Sequence, residues 1–444
     1  MGPKLLLINP AMTATGTGVQ RLPNAGGMAT MEPLALAYVA ALTPSHWEIR
    51  LVDEVAEDIP TDFGPDLVAL TTLSITAPRA YEIARRYRAQ GVPVVLGGVH
   101  ATLLPDEAAR YVDVVFQGDA EGAWPQLIRD FEAGRLRPRY NGGVSDLREL
   151  PLPRRDLYRK RYFVKLLSAS RGCRYRCEFC TLWKQEGGRY RTRPHEEVWH
   201  ELATTERRKL VLFTDENIYT DRAWSLALFR GMAERGLRQP FAVQASLNIA
   251  DDEEMLRTLR AGGCVAVLIG FESLSEESLR GMRKGVNLKI GVAHYREKIA
   301  RLHDQGLAVA GTFIFGNDGD GPDIFGRTVE FVRRAGLDIA HFGLLTPYPG
   351  TDLYDRLARE GRLLYTDFPA DYVRYDLRTA VFRPLHMTPE QLEEGLQWVT
   401  RALASWPVVV KRAWHTWRAT GNPAMAAIAL AWNRTGFYRR VVQR

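Results

Sequence analysis

The residues able to do unusual chemistry in this 444-residue chain lie close together. In Arg171-Gly-Cys-Arg-Tyr-Arg-Cys-Glu-Phe-Cys180, Cys173, Cys177 and Cys180 stand four and three residues apart. Soft thiolates gathered on one loop suit a zinc ion or an iron–sulfur cluster. Three such ligands, with the fourth cysteine far off at Cys264, fit a four-iron cluster that keeps one iron open. Structural zinc takes four closed ligands, and only His195 and His200, downstream of the loop, could complete its set. Four cysteines used in this way argue for a reducing cytosol rather than a disulfide scaffold.

Two alternating α/β regions must position this loop. Up to about residue 140, apolar runs at 5–9, 48–53, 66–72, 93–98 and 112–118 alternate with amphipathic stretches such as 32–42 and 78–90. That alternation predicts a parallel sheet covered on both faces, with ligands beyond the carboxyl ends of its strands. A Pro- and Arg-rich linker, 146–164, separates this domain (1–145) from a second set of strands at 165–168, 210–214, 241–246, 265–271, 308–315 and 339–346. Six such units match a partial (β/α) barrel over 165–364, with its site again at the strand ends. Residues 365–444 lose the period and read as a mainly helical, basic region.

Apolar residues make up 46% and charged residues 25%, as in an ordinary soluble protein. Residues 1–10 read as a buried strand, not a signal peptide, and no apolar run is long enough to span a membrane. Gly395 to Arg444 holds eight basic residues and no acidic one, which accounts for the net charge of +7. Trp398, Trp406, Trp414, Trp417 and Trp432 interleave with those charges, the composition of an interfacial membrane anchor. A helical tail that packs its tryptophans on the barrel is the competing reading. No nucleic-acid-reading module is present, so nucleic acid is not an expected partner.

The cysteine motif resembles the signature of the radical S-adenosylmethionine (SAM) superfamily. The resemblance implies a 4Fe-4S cluster on Cys173, Cys177 and Cys180, whose open iron chelates SAM, with Phe179 beside the adenine. It implies further SAM contacts at Asp215, Glu216 and Asn217, though the glycines usual in that segment are absent. Gln244 and Ser246, Glu272, and Gly316 in Gly311-Thr-Phe-Ile-Phe-Gly316 complete the implied SAM set.

The first domain resembles the cobalamin-binding subgroup through Glu32-Pro-Leu-Ala-Leu-Ala, Val94-Val-Leu-Gly-Gly-Val-His-Ala and Phe116-Gln-Gly-Asp-Ala-Glu. The implied fold is α/β: a doubly wound cobalamin-binding-like domain, a partial (β/α)6 radical SAM barrel and a helical C-terminal region. Thr72, Ser74, Gly97, Gly98, His100, Gly118 and Glu121 are the implied cobalamin contacts, the glycines admitting backbone close to a flat ligand. The Asp-x-His-x-x-Gly motif that offers cobalt a lower histidine is missing, which implies cobalamin bound with its base displaced. His100 is the nearest alternative donor, with a structural role competing. The glycine-rich loop 16–27 lacks a dinucleotide fingerprint and reads as cover for the site.

Phrases such as Thr214-Asp-Glu-Asn217 and Leu345-Thr-Pro-Tyr-Pro-Gly-Thr351 resemble a branch containing hopanoid methylases and bacteriochlorophyll side-chain methyltransferases. That implies C-methylation of an unactivated carbon in a small lipophilic substrate, through a 5′-deoxyadenosyl radical and methylcobalamin. It also implies a flavodoxin- or ferredoxin-like electron donor and a cytoplasmic enzyme touching the inner face of the membrane. Cyclisation or rearrangement without net methyl transfer is the rival enzymatic reading, and a cobalamin or redox sensor the non-enzymatic one. Tyr219, Tyr348 and His341 are candidates on the substrate side, with core packing as the alternative for each.

Overall fold

Leu5, Leu6, Leu7 and Ile8 are all fully buried, so strand Lys4–Asn9 is covered on both faces. Near-continuous apolar runs of this kind belong to central strands of parallel sheets. The computed structural model describes residues 2–14, 18–20, 28–148 and 150–435. In it Lys4–Asn9 lies between Glu48–Asp53 and Leu67–Thr71, and the sheet continues through Val94–Gly97, Val114–Gln117 and Arg139–Asn141. Every neighbouring pair is parallel. Leu6 and Ile8 pack with helix Ala77–Arg88, whereas Leu5 and Leu7 pack with helices Leu34–Ala41 and Ala120–Glu132. The strand order reverses between the first and third strands, which opens a crevice beyond Asn9 and Thr71.

The second sheet runs in chain order through Arg161–Leu167, Leu210–Phe213, Phe241–Ala245, Cys264–Glu272, Ala308–Phe315 and Ile339–Leu344, all parallel. Its two ends do not pair with each other, so the barrel is partial. Met28–Met31 adds a seventh parallel strand beside Arg161–Leu167, reaching the barrel from the N-terminal region. That strand and Arg139–Asn141 were not expected. Four and three residues at a sheet edge carry little period for sequence reasoning to detect. Gly18–Gln20 pairs with Met12–Ala14, and residues 16–17 and 21–27 of the glycine-rich loop lie outside the described residues.

Side chains alternate across each barrel strand. Phe241, Val243 and Ala245 pack outward with the helical layer. The other face presents Ala242, Ala266, Ala308 and Ala310, side chains so small that the bore admits a helix. Helix Pro423–Thr435 fills it, burying Met425 and Ala429 among those alanines and Ile339. The preceding helices, Pro389–Ala404 and Trp406–Thr420, bring the tail there. Arg412 fastens the tail to the barrel by donating to the carbonyls of Leu337 and Asp338.

Buried ion pairs join the two sheets. Arg155 of the linker donates to Glu32 (2.8 Å), to Glu201 on barrel helix His195–Ala203 (2.9 Å) and to the Leu166 carbonyl. Arg193 meets the other Glu201 oxygen at 2.7 Å. Tyr372, fully buried, enters the N-terminal core and donates to Glu107 at 2.6 Å. Removing one partner of such a group leaves an uncompensated buried charge. Arg155→Met is therefore expected to cost about 3–5 kcal/mol in urea unfolding. The Arg155→Met, Glu32→Gln double variant should recover most of that loss.

Candidate active site

The cysteine loop is braced before any ligand is considered. Gly172 has φ +100°, and a Cβ there would sit 2.0 Å from the Arg189 carbonyl oxygen, so only glycine fits. Ser170–Arg171 pairs antiparallel with Arg191–Thr192 and closes the loop's base. Glu216 accepts from the Gly172 amide at 2.8 Å. Asp215, fully buried, accepts from the Ala169 amide at 3.3 Å and from the Ser170 hydroxyl. Burial raises its carboxyl to about 7 despite those bonds. Glu178 is held by Arg356 at 2.8 and 3.1 Å.

Two of the carboxylates expected to meet SAM also have a structural task. Asp215 and Glu216 hold the loop that carries the cysteines. Asn217 is also engaged, accepting from the Ser246 and Tyr219 amides and donating to the Ser246 hydroxyl at 3.2 Å. Tyr219 donates to Asp252 and Tyr348 to the Tyr375 carbonyl, which gives both a packing role.

The three thiols are free. Burial pushes them all up, Cys180 to about 11, while the nearby Lys284 pulls each back. Thiols in such a place ionise only against added positive charge, which cluster iron supplies. Cys264 is fully buried and its thiol donates to the Ala266 carbonyl, so it is no fourth ligand. His195 is committed to the Trp224 carbonyl and lies against Trp199 and Trp224, so it does not serve as a zinc ligand.

The strand ends around this loop carry the other polar groups. Glu272 sits at a register shift with φ +64°, an uncommon backbone for a non-glycine residue and one that costs of order 1–3 kcal/mol. The strain aims its carboxylate at Lys284 (2.6 Å) and at the Thr312 hydroxyl (3.2 Å). A Cβ at Gly270 would fall 2.2 Å from that carboxylate. Although burial disfavours its charge, Lys284 is held above the ordinary lysine range by Glu272. Lys284 was missed from sequence because no motif marks it; only the fold brings it to Glu272 and the cysteines. The Gln244 side chain is half-buried and makes no hydrogen bond among the described residues, so it is available to a ligand. Gly316 has φ +97°, and a cavity of about 430 Å³ opens nearby between Phe179, Asn317 and Leu345. His341 meets Trp432 edge-on at 5.5 Å, and burial lowers it to about 4, neutral near pH 7.

In the N-terminal crevice several expected contacts serve the fold. His100 is fully buried between Tyr81 and Tyr372, with Nε2 2.8 Å from the Tyr81 hydroxyl and Nδ1 3.2 Å from the Ser74 hydroxyl. His100 and Ser74 thus both have partners within the fold. Thr72 is buried against Thr76 at 3.3 Å. Gly98 (φ +94°) and Gly118 (φ +72°) admit Thr72 and Gly143 backbone respectively, so strand-end turns already explain both. Gly97 keeps ordinary clearances. Glu121 gives both oxygens to Arg171, at 2.8 and 3.2 Å, and Asp119 accepts from the same guanidinium at 3.0 Å. What the crevice does present is Leu73, 54% exposed on a turn closed by Thr76. Such an apolar crest would suit the face of a flat corrin. Arg171, two residues before Cys173, thus ties the cysteine loop to the end of the other sheet.

Fold and site together define a class: an enzyme that gathers an iron–sulfur cluster and SAM in a partial barrel, against a corrinoid-binding sheet. Residues 167–332 match the Radical SAM superfamily and residues 28–128 the B12 binding domain. The chain is 31% identical over 396 residues to bacteriochlorophyllide d C-12(1)-methyltransferase of Chlorobaculum tepidum, covering 86% of this chain and 84% of that protein. It is 28% identical to hopanoid C-2 methylase of Rhodopseudomonas palustris, over 82% and 72% of the two chains. The fold is shared with the radical SAM methyltransferase TsrM of Kitasatospora setae at TM-score 0.71 and 17% identity, over 97% and 99% of the two chains. The protein belongs to the cobalamin-binding radical SAM family, and its cofactors are a 4Fe-4S cluster, SAM and cobalamin.

Two outcomes follow for the reconstituted protein. Cys173→Ala, Cys177→Ala and Cys180→Ala should each lose cluster iron by anaerobic iron analysis, and Cys264→Ala should keep it. Paramagnetic resonance of bound cob(II)alamin should show no axial nitrogen, and the spectrum should be unchanged in His100→Ala. That variant should lose about 1–3 kcal/mol of stability through the unpaired Tyr81 and Ser74 hydroxyls.

Proposed function

We propose that the protein transfers a methyl group to an unactivated carbon of a small lipophilic molecule, a lipid or tetrapyrrole. It does so at a membrane surface, with electrons from a flavodoxin- or ferredoxin-like donor. One observation carries the reading: Arg171 joins the cysteine loop to Asp119 and Glu121, so the two cofactor-binding strand ends stand against one another. The likeness to the bacteriochlorophyllide methyltransferase supports the reaction and the substrate class.

Cys173, Cys177 and Cys180 would hold the cluster, Gln244, Lys284 and the Gly316 backbone the SAM, and the crevice around Leu73 the cobalamin. Bound together, these groups supply radical removal of hydrogen and a transferable methyl group. The chain's own part is to position and to exclude water. Asp215 and Glu216 keep the cysteine loop in register with the second strand. Lys284 places a fixed positive charge where a carboxylate can be received, and Glu272 holds it there. Helix Pro423–Thr435 closes the bore from below, which keeps solvent from the reacting end.

Cyclisation without net methyl transfer is a second reading, favoured by 24% identity to the anaerobic magnesium-protoporphyrin IX monomethyl ester cyclase of Cereibacter sphaeroides. Anaerobic incubation with SAM, a low-potential reductant and lipid or pigment extract separates the two. Methylation yields S-adenosylhomocysteine and 5′-deoxyadenosine in similar amounts. 5′-Deoxyadenosine without S-adenosylhomocysteine points to the cyclase reading, and neither product refutes both.

A further inference from the structure

The tail divides its tryptophans between two surfaces. Trp432 lies in the barrel bore with Met425 and Ala429. Trp406, Val410, Trp414 and Trp417 recur at intervals of four, four and three on helix Trp406–Thr420, which places them on one face. They are 56%, 52%, 51% and 50% exposed, and Trp398 on the preceding helix is 50% exposed. The opposite face is committed to the protein through Val409, Arg412, Thr416 and Thr420, all buried. The helix is therefore packed on one side and presents a row of indoles on the other.

Within the tail itself the charges have one sign. Arg401, Lys411 and Arg418 are exposed, and no Asp or Glu occurs between Gly395 and Arg444. The Arg418 guanidinium lies 4.9 Å from the Trp414 ring and that of Arg434 4.7 Å from the Trp406 ring. Indoles favour the headgroup layer of a bilayer, and arginine or lysine beside them meets lipid phosphate. No helix among the described residues is long and apolar enough to cross a membrane, so the face would lie in the interface.

We infer that the Trp406–Trp417 face of the tail is a docking surface for an anionic lipid bilayer. The inference deepens the lipophilic-substrate reading: the docked enzyme meets its substrate where such molecules concentrate. It also follows that cutting off the tail is a poor test, because the same segment carries Met425 and Ala429 into the barrel core.

The test uses full-length protein in sedimentation with vesicles of phosphatidylcholine, with and without phosphatidylglycerol. Wild type should sediment with the anionic vesicles and release at high salt. Its tryptophan emission should shift to the blue and be quenched by brominated lipid. Trp406→Ser, Trp414→Ser and Trp417→Ser combined should abolish both. Arg401→Gln, Lys411→Gln and Arg418→Gln combined should weaken anionic partition by about a hundredfold. Unchanged melting temperature and cobalamin binding show that the variants are folded. Equal sedimentation with both lipids, or retained binding in the tryptophan variant, overturns the inference. So does a dimer in velocity sedimentation that the tryptophan variant converts to monomer, since a second copy would then be the occupant. None of these outcomes touches the methyl-transfer reading, which rests on its own product assay.

Discussion

Everything in the site depends on holding the carboxyl ends of two separate parallel sheets against each other. Apolar packing alone cannot set that relation closely, because it is non-directional. The chain uses half-buried guanidinium groups instead, whose planar forks donate to carboxylates in fixed geometry. Arg171 spans from the cysteine loop to Asp119 and Glu121, and Arg155 spans from the linker to Glu32 and Glu201. Buried ion pairs add little net stability compared with well-packed apolar groups, but a missing partner is costly. Their value here is orientation. A shift of either sheet would leave several charges unpaired at once.

The same economy governs the polar residues around the cysteines. Asp215 accepts from the Ala169 amide and the Ser170 hydroxyl, and Glu216 accepts from the Gly172 amide through one oxygen. The Gln244 side chain makes no hydrogen bond among the described residues, and the Lys284 ammonium is paired with Glu272. Glu272 is the strained exception, its left-handed backbone and the missing Cβ of Gly270 serving to aim one carboxylate at Lys284. Strain of this kind persists only where the surroundings over-determine it. Here those surroundings are two neighbouring strands and the Thr312 hydroxyl.

The strands of both sheets were legible because long apolar runs bounded by turns leave few alternatives. The cysteine loop was legible because the spacing is local. Residues 28–31 and 139–141 were not, since their pairing partners give them strand character and their own sequences do not. His100 was ambiguous in sequence: Ser74, Tyr81 and Tyr372, distant in sequence from one another, together make it structural. The strand-end carboxylates Asp215 and Glu216 lie beside the cysteine loop and bind local amides there, a bracing role that no motif announces. Lys284 illustrates the converse, a residue with no motif that becomes central once a bulge turns Glu272 toward it. The basic tail read as one uniform segment, yet Met425 and Ala429 pack inside the barrel while Trp406, Trp414 and Trp417 are exposed. Composition cannot separate a tryptophan facing alanines from one facing solvent.

The helix in the bore has a bearing on how the molecule is made. Chains emerge from the ribosome N-terminus first, and early domains fold while later ones are still being synthesised. The six strands of the cobalamin-binding sheet are all made by Asn141, and Tyr372 joins their core later. In the barrel, Ala242, Ala266, Ala308 and Ala310 lack their packing partners until Met425 and Ala429 have been translated. A nascent chain halted before that point would leave those alanines uncovered, an apolar surface that the finished fold does not show.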